Sequence, residues 1–265
     1  MSIINLVLNV ILNPFLKYKF LLYQLVQREI KARYKQSVIG YFWVILNPLV
    51  LMAIYSFVFS VVFKFPVNIP YPLFLFAALL PWNFLQNGIM SATNSLVAND
   101  ILLKKVAFPR EVIPYSVLIA KGVDFLFSLI LFILLLIFYK INLSVTAFLF
   151  IPILFIQIIL MTGLSLILST FNLFYRDIQY LTNLVLMVWM YMSPVVYPLS
   201  MVPEKFVWVY KLNPMVGIIE GYRSVLFGYP IEYSIIGWAF VVSLFVLLLG
   251  FVVFKKFEKI FADIV

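Results

Sequence analysis

Between two long apolar runs the chain reads NDILLKKVAFPRE, from Asn99 to Glu111. Five of these thirteen residues are charged, a density that the hydrocarbon core of a bilayer does not accept. The patch therefore lies outside the membrane, and the runs on either side must cross it. Asn99 or Asp100 can cap a helix, Ile101 to Phe108 supply about two turns, and Pro109 ends them. No Glu or Gln follows three residues after either cap, so the capping box is absent. The expected short helix shows Leu102, Val106 and Phe108 beside Lys104 and Lys105. A helix of two turns does not stand alone in water, so either lipid head groups or a cytoplasmic partner must cover its apolar side.

Working outward, 65% of the 265 residues are hydrophobic and 11% charged, with a mean hydropathy of +1.12. A soluble domain carries roughly a quarter charged residues. The chain reads as an integral membrane protein. It has neither cysteine nor histidine, which removes disulfides, thiolate nucleophiles, His-assisted acyl transfer and the usual zinc and haem ligands. The apolar start, Ile3 to Leu12, lacks a preceding basic region and a small-residue cleavage site, so no cleaved signal peptide is expected.

A helix needs about 20 apolar residues to cross the core. Six stretches qualify, in an all-α membrane domain over residues 1–265: Val38 to Phe63, Leu73 to Val97, Val112 to Tyr139, Ser144 to Phe171, Ile178 to Tyr197 and Tyr233 to Phe254. The only charges inside them are Lys121 and Asp124 in the third. They stand three residues apart, where they can neutralise each other as a structural ion pair or meet a substrate. With six spans both termini share a side. If that side is cytoplasmic it holds thirteen of the nineteen Lys and Arg against five outside, and the positive-inside rule fixes both termini there.

Two segments do not fit a plain set of spans. Residues 198–232 alternate short apolar stretches with Pro214, Gly217, Gly221 and Gly228. We expect two short re-entrant helices dipping back from the outer side, their ends covered by protein or water. Residues 15–35, FLKYKFLLYQLVQREIKARYK, wind into an amphipathic helix with Leu22, Leu25, Val26, Ile30 and Tyr34 on one side. Gln24, Gln27, Arg28, Lys31 and Lys35 gather on the other, as expected of an interfacial helix on an anionic leaflet. Glu29 and Arg33 depart from that pattern. They project from the apolar side in the order favourable for a helix pair, which fits either surface pairing or docking.

The runs REIKARYKQSVIGYFWVILNPL (Arg28 to Leu49), LLKKVAFPREVIPYS (Leu102 to Ser116), FYRDIQYL (Phe174 to Leu181), MSPVVYP (Met192 to Pro198) and NPMVGIIEGYRSVLFG (Asn213 to Gly228) resemble the transmembrane subunit of bacterial polysaccharide exporters. These are ATP-binding-cassette exporters of the ABC-2 type, serving O-antigen, teichoic acid and capsule. The resemblance covers almost the whole chain. It implies that residues 99–110 are a coupling helix seated in a groove of a separate nucleotide-binding subunit. Ile101, Leu102, Leu103, Lys104, Lys105, Val106, Phe108, Arg110 and Glu111 would make that contact, with Glu29 beside them. Among the nine glycines there is no Gly-x-x-x-x-Gly-Lys-Ser/Thr loop, so ATP and magnesium are expected in the partner, and no metal or cofactor here.

The resemblance further implies two copies of this chain with two nucleotide-binding subunits in the bacterial cytoplasmic membrane, and a channel between the two membrane halves. A sugar polymer needs walls that accept hydroxyls and ring faces, which Tyr and Trp provide. The candidates deep in the spans are Tyr55, Trp82, Trp189 and Tyr191. Pro48 and Pro81 can bend the first and second spans, for packing or for opening. Substrates of the family carry undecaprenyl diphosphate or a related lipid. Arg28, Arg33 and Lys35 would line its approach, although the positive-inside rule explains the lysines equally well. Glu220 and Arg223, again three apart, would form an outer gate.

Function classes separate on the same residues. A membrane glycosyl or acyl transferase needs convergent acid and base groups, and Asp124 is the only carboxylate inside a span. An ion-coupled carrier buries several ionisable groups at mid-membrane and shows repeated halves, and neither is present. A drug or small-lipid exporter of the same superfamily remains the alternative, and no nucleic-acid partner is expected.

Overall fold

The computed structural model describes residues 17–34, 40, 42–62, 65 and 67–264. Lys35, the start of the interfacial segment and both ends of the expected first span lie outside these residues. Helices α1 (Lys19–Tyr34), α2 (Phe42–Ser56), α3 (Tyr71–Thr93), α4 (Asp100–Lys105), α5 (Val112–Phe138), α6 (Phe150–Phe174) and α7 (Ile178–Tyr191) follow in chain order. They are succeeded by α8 (Glu204–Leu212), α9 (Pro214–Phe227), α10 (Tyr233–Phe257) and α11 (Phe261–Ile264). Among the described residues there is no strand.

Five helical stretches among the described residues are long and apolar enough to cross a membrane: Phe42–Ser60, Tyr71–Thr93, Val112–Phe138, Val145–Phe174 and Tyr233–Ile260. The expected fifth span is the one that does not reach this length as a helix. There the helix is α7, with 14 residues, about 21 Å of helix against a core of about 30 Å. The expected span ran on to Tyr197, but the helix stops at Tyr191. Pro194 has no amide proton, and the residue before a proline avoids helical backbone. The carbonyls freed by this break find donors elsewhere. Asn213 Nδ2 donates to Met192 O at 3.1 Å, and the Arg223 guanidinium donates to Pro194 O at 2.6 Å and Val195 O at 2.9 Å.

Helix α3 is the axis of the bundle. Its apolar residues face every direction, and nearly the whole helix is buried, as expected of a helix surrounded by others. Pro72 sits in its first turn, where no helical donor is missed. At mid-height the buried amide of Gln157 on α6 donates to Pro81 O at 2.7 Å and accepts from Tyr222 on α9 at 3.0 Å, leaving neither side-chain atom unpaired.

Helices α6 and α10 touch backbone to backbone. A Cβ on Gly250 would sit 2.4 Å from Gly163 O, and one on Gly163 would sit 2.6 Å from the Val246 carbonyl. Only glycine permits that approach, the usual way for helices to pack where lipid gives no hydrophobic drive. In α2 the chain continues through the buried Pro48 and widens into a π-helical stretch at Phe57–Val62.

The 198–232 segment holds α8 and α9, but they differ in burial. Asn213 caps α9 by accepting from Met215 N at 3.0 Å, Pro214 takes its first position, and Gly228 ends it at φ 72°. Residues Met215 to Leu226 are almost all buried against α3, α6 and α10. Helix α8 instead exposes Phe206 and Trp208. A second apolar cluster closes the other end of the bundle. Here Leu22 and Leu25 of α1 meet Leu103 of α4, Val112 and Ile113 of α5, Phe254 of α10 and Phe261 of α11. This end, which also gathers α1 and the 99–111 patch, is called the basic end below.

Candidate functional site

The 99–111 patch forms a shorter helix than its sequence suggests. Helix α4 ends at Lys105, and Val106 is already extended at φ −128°, ψ 133°. Neither expected cap works through the helix N-terminus in the usual way. Asn99 Nδ2 donates back to Ser95 O at 2.8 Å, and Asp100 Oδ1 accepts from the adjacent Ile101 N at 2.7 Å. The apolar side is divided rather than displayed whole. Leu103 is 2% exposed, with Leu102 and Phe108 packed around the same cluster, whereas Ile101 is 64% and Val106 46% exposed. Lys104 and Lys105 also point outward.

The patch is held at both ends. Arg28 on α1 donates to Asn99 Oδ1, while Glu29 lies beside Arg28 at 3.6 Å. At the far end Arg110 N donates to Glu258 Oε1 at 3.1 Å, and its guanidinium donates to Glu258 O. Glu111 is 1% exposed and receives Lys255 Nζ on both oxygens, at 2.9 and 2.8 Å, and Lys255 also reaches Glu258 at 2.8 Å. Burial raises the Glu111 carboxyl pKa above its ordinary value, against the pull of Lys255. Lys255 and Glu258 escaped the sequence reading, although their spacing at the end of a span was the available signal.

Arg33 does not pair with Glu29. Its Nη1 donates to Asp124 Oδ2 at 2.6 Å, and the same oxygen lies 3.8 Å from Lys121 Nζ. The apolar side of α1 carries Arg33 because that side faces α5, whose charges lie opposite. Of the three basic residues expected at the lipid approach, Arg28 and Arg33 thus have protein partners. Lys35 lies outside the described residues.

The aromatics separate too. Trp82 is fully buried, its indole donating to Gln86 at 3.1 Å and its ring edge-on to Trp189 at 6.0 Å. It presents no surface to a pathway in this conformation. Trp189 donates to Asn213 Oδ1 at 2.8 Å. Tyr55 is half-buried with its ring 6.2 Å from Phe59, and Tyr191 is 58% exposed. At the opposite end Arg223 is 1% exposed. Besides the carbonyls of Pro194 and Val195 it reaches Glu220 at 2.9 Å, and its guanidinium lies 3.6 Å over the ring of Phe74. No cluster of metal-ligating side chains occurs among the described residues.

Comparison with known proteins shows the family. Residues 21–227 match the family described as ABC-2 type transporter. The chain is 36% identical over 246 residues to the O-antigen export system permease protein RfbA of Klebsiella pneumoniae, covering 92% of this chain and 94% of the relative. It is 35% identical over 214 residues to the RfbA protein of Myxococcus xanthus, covering 80% and 82% respectively. The polysialic acid transport protein KpsM of Escherichia coli is 25% identical over 243 residues, covering 88% and 91%. The chain belongs to the ABC-2 type transporter family of membrane proteins.

Proposed function

We propose that the chain is the permease subunit of an ATP-driven exporter that moves lipid-linked polysaccharide of the O-antigen type across the bacterial inner membrane. It performs no chemistry itself. Two copies work with two nucleotide-binding subunits, which hold ATP and magnesium. The observation that carries this reading is the division of the 99–111 patch. Leu103 anchors α4 inward, while Ile101, Lys104, Lys105 and Val106 form an apolar and basic face that no described residue covers.

The two attachments of the patch supply the route for motion. A push on α4 is passed to α1 through Arg28–Asn99 and to α10 through Arg110, Glu111, Lys255 and Glu258. From α1 it continues to the third span through Arg33–Asp124. Packed, hydrogen-bonded elements of this kind carry coupling between sites.

In this reading the basic end is cytoplasmic, with both termini. The segment from α7 through Tyr197 makes the sixth crossing. Asn172, late in α6 toward the basic end, accepts from Gln179 N at 3.0 Å, and Val196 O accepts from Tyr71 at the opposite end. Tyr55, Trp189 and Tyr191 are the aromatics left to face the polymer, and Glu220 and Arg223 steady the outer mouth. The test is deletion of the chain or of its nucleotide-binding partner. Loss of surface polymer, with lipid-linked polymer accumulating inside, is expected from either, and normal surface polymer rejects the reading.

A further inference from the structure

A cavity of about 220 Å³ opens between α2, α3 and α5. Its walls carry Trp43, Asn47, Asn83, Asn87, Lys121 and Asp124. Such a set is costly inside apolar spans, where a polar group without a partner has no water to turn to. Each carboxamide offers two donors and an acceptor, yet none of the three hydrogen-bonds to another described residue. Pro48, on the same wall, leaves the Val44 carbonyl without its helical donor.

The charges point the same way. Arg33 and Lys121 both address Asp124 Oδ2, so two cations share one carboxylate oxygen. Arg33 Nη2 is buried with no hydrogen-bond partner among the described residues. Glu29, one turn earlier, lies against Arg28 instead. The cavity therefore combines spare positive charge, several unmet donors and acceptors, and the half-exposed ring of Trp43 at its wall.

We infer that this cavity binds the phosphate-bearing, hydroxyl-rich head group of the lipid-linked glycan. The inference rests on the export reading above. Lys121 meets phosphate oxygens as a donor without acceptor character, and the buried guanidinium of Arg33 adds positive charge behind it. The three carboxamides meet sugar hydroxyls, and Trp43 offers an apolar face for a ring. A cavity of about 220 Å³ holds only the head of the lipid, the phosphate and the first sugar, so the polymer itself stays outside. Arg33 is thereby a positioning residue that holds Asp124 and tunes the site, while Lys121 touches the ligand.

The test uses the chain assembled with its nucleotide-binding subunits in phosphatidylcholine nanodiscs, doped with either a polyprenyl diphosphate-linked monosaccharide or phosphatidylglycerol. Native mass spectrometry counts the lipid retained. The sugar lipid should be retained at least tenfold over phosphatidylglycerol. Lys121→Gln and the pair Asn83→Leu/Asn87→Leu should each cut that retention at least fivefold, with Asn87→Gln recovering part of it. Equal retention of the two lipids would mark a general anionic-lipid site, and unchanged retention in the variants would put the sugar lipid elsewhere. Either result overturns the inference. Should a variant fail to assemble, a photoreactive phenylalanine at Val44 in the otherwise native chain must crosslink the sugar lipid, and its failure to do so is equally decisive. Surface polymer unaffected by deleting the chain would remove the export reading. A chain needed for surface polymer whose variants still hold the probe removes only the site.

Discussion

The two ends of the bundle solve the same problem, a charge away from water, in opposite ways. At the basic end Arg28 meets Asn99, and Lys255 meets Glu111 and Glu258, side chain to side chain, with Arg110 tied to Glu258 through one backbone group on each residue, and several of these groups are partly exposed. At the opposite end one buried guanidinium, Arg223, is tied mainly to backbone carbonyls and stacked on Phe74. Side-chain pairs can lengthen and re-form as helices shift. A guanidinium that closes the gap left by a broken helix cannot leave without exposing those carbonyls. The contrast teaches that one end is built to transmit and the other to hold.

Replacing Arg223 should therefore have the largest effect on stability. Arg223→Met strands the Pro194 and Val195 carbonyls and should cost about 3 kcal/mol or more, read as loss of folded protein in a denaturant titration of the detergent-solubilised chain. Arg223→Lys should recover little, because an ammonium lacks the planar fork that reaches several acceptors. A mild phenotype for both would erase the contrast between the ends.

Next comes the contact of α6 and α10. Gly250→Ala places a methyl 2.4 Å from Gly163 O, and overpacking of this kind costs about 1 to 3 kcal/mol. A lowered thermal midpoint is the expected result. Smaller still is the clamp on the patch. Arg28→Ala and Asn99→Ala should each cost about 1 kcal/mol or less, and the double variant little more than either, which a double-mutant cycle measures. The smallest change in stability, about 0.5 kcal/mol or less, belongs to Ile101→Asp with Val106→Asp, since both side chains are exposed. That pair should nonetheless abolish export while insertion stays intact, which separates transmission from folding.

Much of this contrast was legible in residue order. Span length identified the long helices, and the charges of NDILLKKVAFPRE set that stretch apart from them. Three things were hidden for identifiable reasons. The fifth span read as uninterrupted because Met192 to Tyr197 is apolar, and its break becomes tolerable only because Asn213 and Arg223, some twenty to thirty residues later, supply donors. Arg33 broke the amphipathic pattern visibly, but its partner Asp124 is ninety-one residues away, beyond any helical periodicity. Trp82 looked like a pathway aromatic by depth alone. Depth does not say which side of a helix meets neighbours, and in α3 every side does.

The chain has no cysteine of its own, so single cysteines report cleanly on which end meets what. The most direct test places one at Ile101 and, separately, one at Trp208, and exposes each assembled complex to a short crosslinker and to a membrane-impermeant thiol reagent applied to intact spheroplasts. The account predicts that Ile101→Cys crosslinks to the nucleotide-binding subunit and resists the external reagent, while Trp208→Cys is labelled from outside and forms no such crosslink. The reverse pattern, with Ile101→Cys labelled from outside, would contradict it.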